Sequence, residues 1–145
     1  MQNRQVKPRP TFEGKHAELS EKIVNTFYKT HFELGYGFSE KIYQKAYGIA
    51  LREIGLNVEE QKVIRVYFHN QLVGEYAADM VVNDLIVLEL KAVSQILDEH
   101  QAQLLSYLKA TQYEVGYVLN FSMAPKFKRL IFDNERKGSM KWVER

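Results

Sequence analysis

Apolar positions along the chain change period twice, and the changes divide it into helical and extended stretches. From about residue 13 to 34, Ile23, Val24, Phe27, Tyr28, His31 and Phe32 recur at helical spacing, which predicts an amphipathic helix. Gly35 and Gly37 end it. A second helix is expected from Ser39, a good N-cap, to Gly55, with Ile42, Tyr43, Ala46, Ile49, Ala50 and Ile54 turned inward. The period then shortens. Residues 58–68, 72–82 and 85–92 read as strands, separated by turns at His69-Asn70-Gln71 and Asn83-Asp84. The run Leu85-Ile86-Val87-Leu88 is apolar on both faces, so the third strand is expected to be central and covered on both sides. Helical spacing returns over 94–110, with Leu97, Gln101, Leu104, Leu105 and Leu108 as the stripe. Strands at 113–121 and 128–132 follow, then a charged, peripheral tail. The order α-α-β-β-β-α-β-β predicts a mixed sheet flanked by helices, α/β or α+β in class.

The chain has 145 residues, the length of one domain. It is expected to comprise a loose basic arm over 1–11, a core over 12–132 and the tail over 133–145. Hydrophobic content of 46% is that of a globular chain and argues against disorder. There is no cysteine, which excludes disulfides, thiolate zinc sites and cysteine nucleophiles. A reducing, cytoplasmic setting is compatible with that. No apolar run has the length of a membrane span, and the N-terminus lacks an apolar signal core. A net charge of +2 leaves nucleic-acid binding to local clusters. Arg4, Lys7 and Arg9 form one cluster, and Lys126, Lys128 and Arg129 another; both also read as solvated surface.

The third strand stays apolar until Glu89 and Lys91, which lie two apart and therefore share a face. A strand end emerging into solvent, or a local ion pair, would explain them. Asp79, closing the stretch Tyr76-Ala77-Ala78 on the preceding strand, argues for more. If strands two and three form a hairpin, its loop length decides the outcome. A two-residue loop pairs 82 with 85 and 79 with 88, putting Asp79 and Glu89 on opposite faces. A three-residue loop pairs 82 with 86 and 79 with 89. Two facing carboxylates repel unless a cation lies between them, and their hard oxygens suit Mg2+ or Mn2+. The site thus requires an odd loop or a bulge near Asp84, where Asn and Asp tolerate left-handed backbone.

His100, Gln103 and Tyr107, at i, i+3 and i+7, share one stripe of the third helix beside its leucines. That stripe reads either as a polar border or as a wall of the site. Glu40 opens the second helix, where the helix dipole alone explains a carboxylate.

Together these residues resemble the GxxExxY proteins of the PD-(D/E)XK nuclease superfamily. Gly37-Phe38-Ser39-Glu40-Lys41-Ile42-Tyr43 looks like the signature heptad. Gly74-Glu75-Tyr76-Ala77-Ala78-Asp79 is similar to the GxxxxD strand, and Leu88-Glu89-Leu90-Lys91-Ala92 to the ELKA strand. Residues 100–108 resemble the HxAQxxxYL helix, and Asn120-Phe121 the NF strand end. The likeness covers about residues 12–132. Gln112 and Ser122 depart from it where the family often has glycine.

The resemblance implies a nuclease-like core and a metal-dependent nuclease acting on nucleic acid, DNA above all. It implies Asp79, Glu89 and Glu40 as metal-site carboxylates and Lys91 as the residue that orients the attacking water and stabilises developing charge. It implies Gln103 and Tyr107 as supports for the site and the substrate strand. The alternative is a module with the nuclease fold that binds nucleic acid or a protein partner and cuts weakly or not at all; a structural subunit of a larger complex is a third reading.

Overall fold

The computed structural model describes residues 14–144. Two helices, α1 (Ala17–Leu34) and α2 (Glu40–Glu53), precede three strands, β1 (Val58–Phe68), β2 (Gln71–Val82) and β3 (Ile86–Lys91). Helix α3 (Asp98–Lys109) leads to β4 (Val115–Asn120) and β5 (Lys126–Ile131). The five strands form one sheet in chain order. All neighbours are antiparallel except β3 and β4, because α3 carries the chain back across the sheet between them. This is the mixed α/β sheet that the apolar periods predict.

Helices cover both faces. On one, Ile23, Val24 and Phe27 of α1 and Tyr43, Tyr47 and Leu51 of α2 pack on Met80, Leu88, Leu90 and Phe121. On the other, Leu104, Tyr107 and Leu108 of α3 pack on Val81, Val87 and Val118. Central β3 is buried on both sides, as its apolar run requires. Gly116 lets α3 settle: a Cβ there would lie 2.8 Å from Leu104 Cδ1.

Several inward assignments are corrected. In α2 the buried row is Tyr43, Tyr47 and Leu51, while Ile42, Ile49 and Ile54 are exposed. The tyrosines win because their hydroxyls find acceptors inside: Tyr43 donates to the Gly35 carbonyl at 2.6 Å and Tyr47 to Ile23 at 2.7 Å. In α1, Phe32 is 89% exposed, one step past the face that meets the sheet. Leu97 and Leu105 of the third stripe are likewise exposed, and α3 begins at Asp98 rather than 94.

The region after Asp133 is docked rather than peripheral. Lys137 is buried and donates to the carbonyls of Thr111 and Tyr113 at 2.9 and 2.7 Å. Trp142 Nε1 donates to Lys109, the Tyr67 N–H donates to the Trp142 carbonyl, and Val143 bridges to Val66 on β1. The charged composition conceals one lysine and one tryptophan whose donors have backbone acceptors. The basic arm over 1–11 lies outside the described residues.

Candidate active site

The geometry of the site begins in the β2–β3 turn. Asn83 and Asp84 both adopt left-handed backbone, with φ of 51° and 52°. Val82 pairs with Ile86, Val81 with Val87 and Met80 with Leu88, so the loop is 83–85, three residues long. One step further, Asp79 stands opposite Glu89. Here side chains replace the ladder: the Asp79 N–H donates to Glu89 Oε1 at 3.1 Å, and the Leu90 N–H donates to Asp79 Oδ2 at 2.8 Å. Each carboxylate thus satisfies a backbone donor of the opposite strand.

Val81 and Val87 pack beneath α3, and the alternation of strand side chains puts Asp79, Glu89 and Lys91 toward the same side. Glu89 is only 3% exposed. Burial, reinforced by the charge of Asp79, pushes its carboxyl up to about 8, against the Asp79 N–H and the Lys91 ammonium, which act the other way. Burial also raises Asp79, opposed by the Leu90 N–H, Lys91, Gln61 and Glu89. The two carboxyls therefore hold a proton between them near neutrality unless another cation neutralises them. Lys91 is half-buried at the end of β3 and acts on both through space.

Tyr107 closes the patch from α3. It is buried, packs its ring 5.3 Å from that of Tyr76, and hydrogen-bonds with Gln103. Burial, followed by the charges of Glu89 and Asp79, raises its hydroxyl to about 12. The phenol is therefore a donor, never an anion, at neutral pH. Glu40 lies on the exposed first turn of α2 within electrostatic reach of Glu89. Among the described residues no three His, Cys, Asp or Glu side chains form a ligand cluster. His100 has a local role, since its Nδ1 accepts the Leu97 N–H at 3.0 Å at the start of α3.

Two glutamines were not legible as site residues. Gln61 has φ of 51° in the middle of β1, and its amide reaches Asp79 Oδ1 at 3.5 Å and Gln44 at 3.3 Å. Gln44 in turn reaches the Asp79 carbonyl at 3.4 Å. The only signal was that Gln44 stands four residues after Glu40, on the same side of the helix.

The raised Glu89 carboxyl has a consequence for stability, with a definite sign. A carboxyl held above its ordinary value favours the protonated folded state, so its contribution is full below about 4.5 and is lost as pH rises through about 8. Melting temperature in EDTA is expected to fall across that window. Glu89→Gln should flatten the profile; a parent protein whose melting temperature rises over the same range would contradict the burial of the pair.

A family model described as PD-(D/E)XK nuclease superfamily matches residues 17–130. No curated protein and no solved structure matches the chain.

Proposed function

The chain belongs to the PD-(D/E)XK nuclease superfamily, and we propose that it is a metal-dependent nuclease that hydrolyses phosphodiester bonds in DNA. The observation that carries this reading is the pair Asp79 and Glu89, brought face to face by a three-residue turn and largely buried, with Lys91 on the same face. The narrower placement among GxxExxY proteins rests on the motif blocks and is part of the same proposal.

The donor set fits a hard divalent ion. Two carboxylates, both raised by burial and one also by its neighbour's charge, supply oxygen ligands and excess negative charge. They are too few to enclose an ion, which leaves positions for water and substrate. Asp79 and Glu89 would hold Mg2+ or Mn2+, with Glu40 adding negative charge at the rim. When bound, the ion supplies a nucleophilic water at neutral pH and a counterion for the phosphate.

The remaining steps belong to the protein. Lys91 shares the carboxylate face and offers positive charge where negative charge develops on the phosphoryl oxygens, as the water oxygen bonds to phosphorus, the ester oxygen departs and the water's proton passes to solvent or to that leaving oxygen. Tyr107, kept protonated, donates a hydrogen bond to a phosphate oxygen or to the water, and Gln103 holds its hydroxyl in place. Gln44 and Gln61 fix the Asp79 carboxyl and backbone.

The second reading is a nuclease-fold module that binds nucleic acid or a protein partner without efficient cutting. No helix among the described residues is long and apolar enough to cross a membrane. A panel of single- and double-stranded DNA and RNA, incubated with Mg2+, Mn2+ or EDTA, separates the readings. Cleavage of DNA that requires either ion is expected. A protein that cuts nothing with either metal, and whose melting temperature neither metal raises, would be the binding module.

A further inference from the structure

At the C-terminal ends of β3 and β4 the surface opens into a groove of about 710 Å³, beginning one residue beyond Lys91. Its walls include Tyr36, Ile96, Met123, Lys126 and Lys128, and no acidic residue among the described ones lines it. Tyr36 is 65% exposed and Met123 74%, so two large apolar side chains stand in water at its mouth. Lys126 and Lys128 alternate with Phe127 and therefore face one way; both are exposed, and neither has an acidic partner among the described residues. One wall is firm: buried Asn120 accepts the Val93 N–H at 3.0 Å and donates to the Val93 carbonyl at 2.9 Å.

A groove of similar size, about 640 Å³, lies beside the β2–β3 turn and has a different character. There Arg65 is paired with Glu75 and Glu144, and Asp84 and Glu114 also line the space. Its charges already neutralise one another. The groove beside Lys91 instead presents two cations without acidic partners among the described residues, next to an exposed aromatic ring.

We propose that this groove binds an unpaired nucleotide of a single-stranded nucleic acid, its base stacked on Tyr36 beside Met123 and its phosphates held by Lys126 and Lys128. The inference rests on the nuclease reading and narrows its substrate to single strands or frayed ends. Stacking needs a base with a free face, which a paired base inside a duplex does not offer. Phosphates need fixed cations without competing carboxylates, and the lysine pair on β5 supplies them. The volume lies within the roughly 300–1,000 Å³ typical of small-ligand sites, room for a base and its sugar. The position of the groove, one residue past Lys91, would set the neighbouring phosphate at the carboxylate pair.

Fluorescence anisotropy in EDTA, where no cleavage occurs, tests this with labelled oligothymidylate, labelled oligouridylate and a blunt DNA duplex of equal length. At least one single strand is expected to bind more tightly than the duplex. Tyr36→Ala should weaken that binding about tenfold, the scale of one lost base stack, and Tyr36→Phe should restore it. The double variant Lys126→Ser/Lys128→Ser should reduce the slope of log K against log salt by about 1.4, about 0.7 for each phosphate contact removed. Equal binding by parent and Tyr36→Ala, a duplex bound as tightly as the strand, or no binding of either strand would overturn the proposal. Failure of the nuclease reading would look different: Tyr36-dependent binding intact, with no cleavage in Mg2+ or Mn2+.

Discussion

Asp79→Asn is expected to abolish metal-dependent cleavage while leaving a folded protein that melts at a higher temperature in EDTA than the parent. The two effects have one cause. Asn keeps the shape and an oxygen for the Leu90 N–H, so the cross-strand bond at 2.8 Å survives. It removes one of the two facing carboxylates, which costs the site its ion and relieves the repulsion that adds to burial in pushing Glu89 up. Cleavage should fall by more than about a hundredfold, the scale set by loss of a major electrostatic element in a site. Lys91→Ala should lose a similar factor in rate while retaining the metal-induced rise in melting temperature, because Lys91 is not a proposed ligand. Cleavage assays and melts with and without Mn2+ read both. An Asp79→Asn protein that cuts at the parent rate would refute the metal site outright.

Phe121→Ala is expected to be the most destabilising single truncation in the molecule. The ring lies 4.6 Å from Tyr43, 4.8 Å from Phe27 and 5.9 Å from Tyr47, and joins both helices of one layer to the sheet. Removing it leaves a cavity among tyrosines whose hydroxyls are tied to backbone carbonyls and cannot swing in to fill it. The cost should be about 3–5 kcal/mol, or a fall in melting temperature of roughly 10–16 °C. Denaturant titration measures it directly. The Phe121 N–H also donates to the Lys91 carbonyl at 2.7 Å, so the damage reaches the end of β3 and the rate should fall along with stability. Phe121→Leu, which keeps most of the volume, should recover much of both.

How far the sequence could be read depended on which physical quantity each feature rests on. The facing of Asp79 and Glu89 follows from counting, because strand side chains alternate and a loop length fixes the register. Asn83 and Asp84 accept left-handed backbone, so a three-residue turn was one of two open registers; with the third strand read from Leu85, the sequence alone did not choose between them. The burial of Tyr43 was legible, but the exposure of Ile42 beside it, and the choice of Tyr47 over Ile49, were not. Hydrophobicity ranks the isoleucines inside, whereas the structure buries the side chains whose polar tips meet carbonyls of distant residues. Gln61 was hidden for a related reason: its role comes from a local backbone departure inside a strand, and glutamine carries no sign of it. The docking of residues 134–144 was hidden because a charge count does not reveal that the Lys137 ammonium fits between two carbonyls. Fold class survives such errors, since it depends on period alone; inventories of the core and of the site do not.

The two edges of the sheet differ in how open they are to another strand. An open edge strand is a template onto which another chain can add. Residues 142–144 already occupy part of the β1 edge, through Tyr67, Val66 and Arg65. The β5 edge presents Lys126 and Lys128, whose repulsion discourages a second β5 from pairing alongside. The same two lysines that are proposed to attract a phosphate chain would thus repel their own copies at this edge, so one pair of charges would serve two purposes.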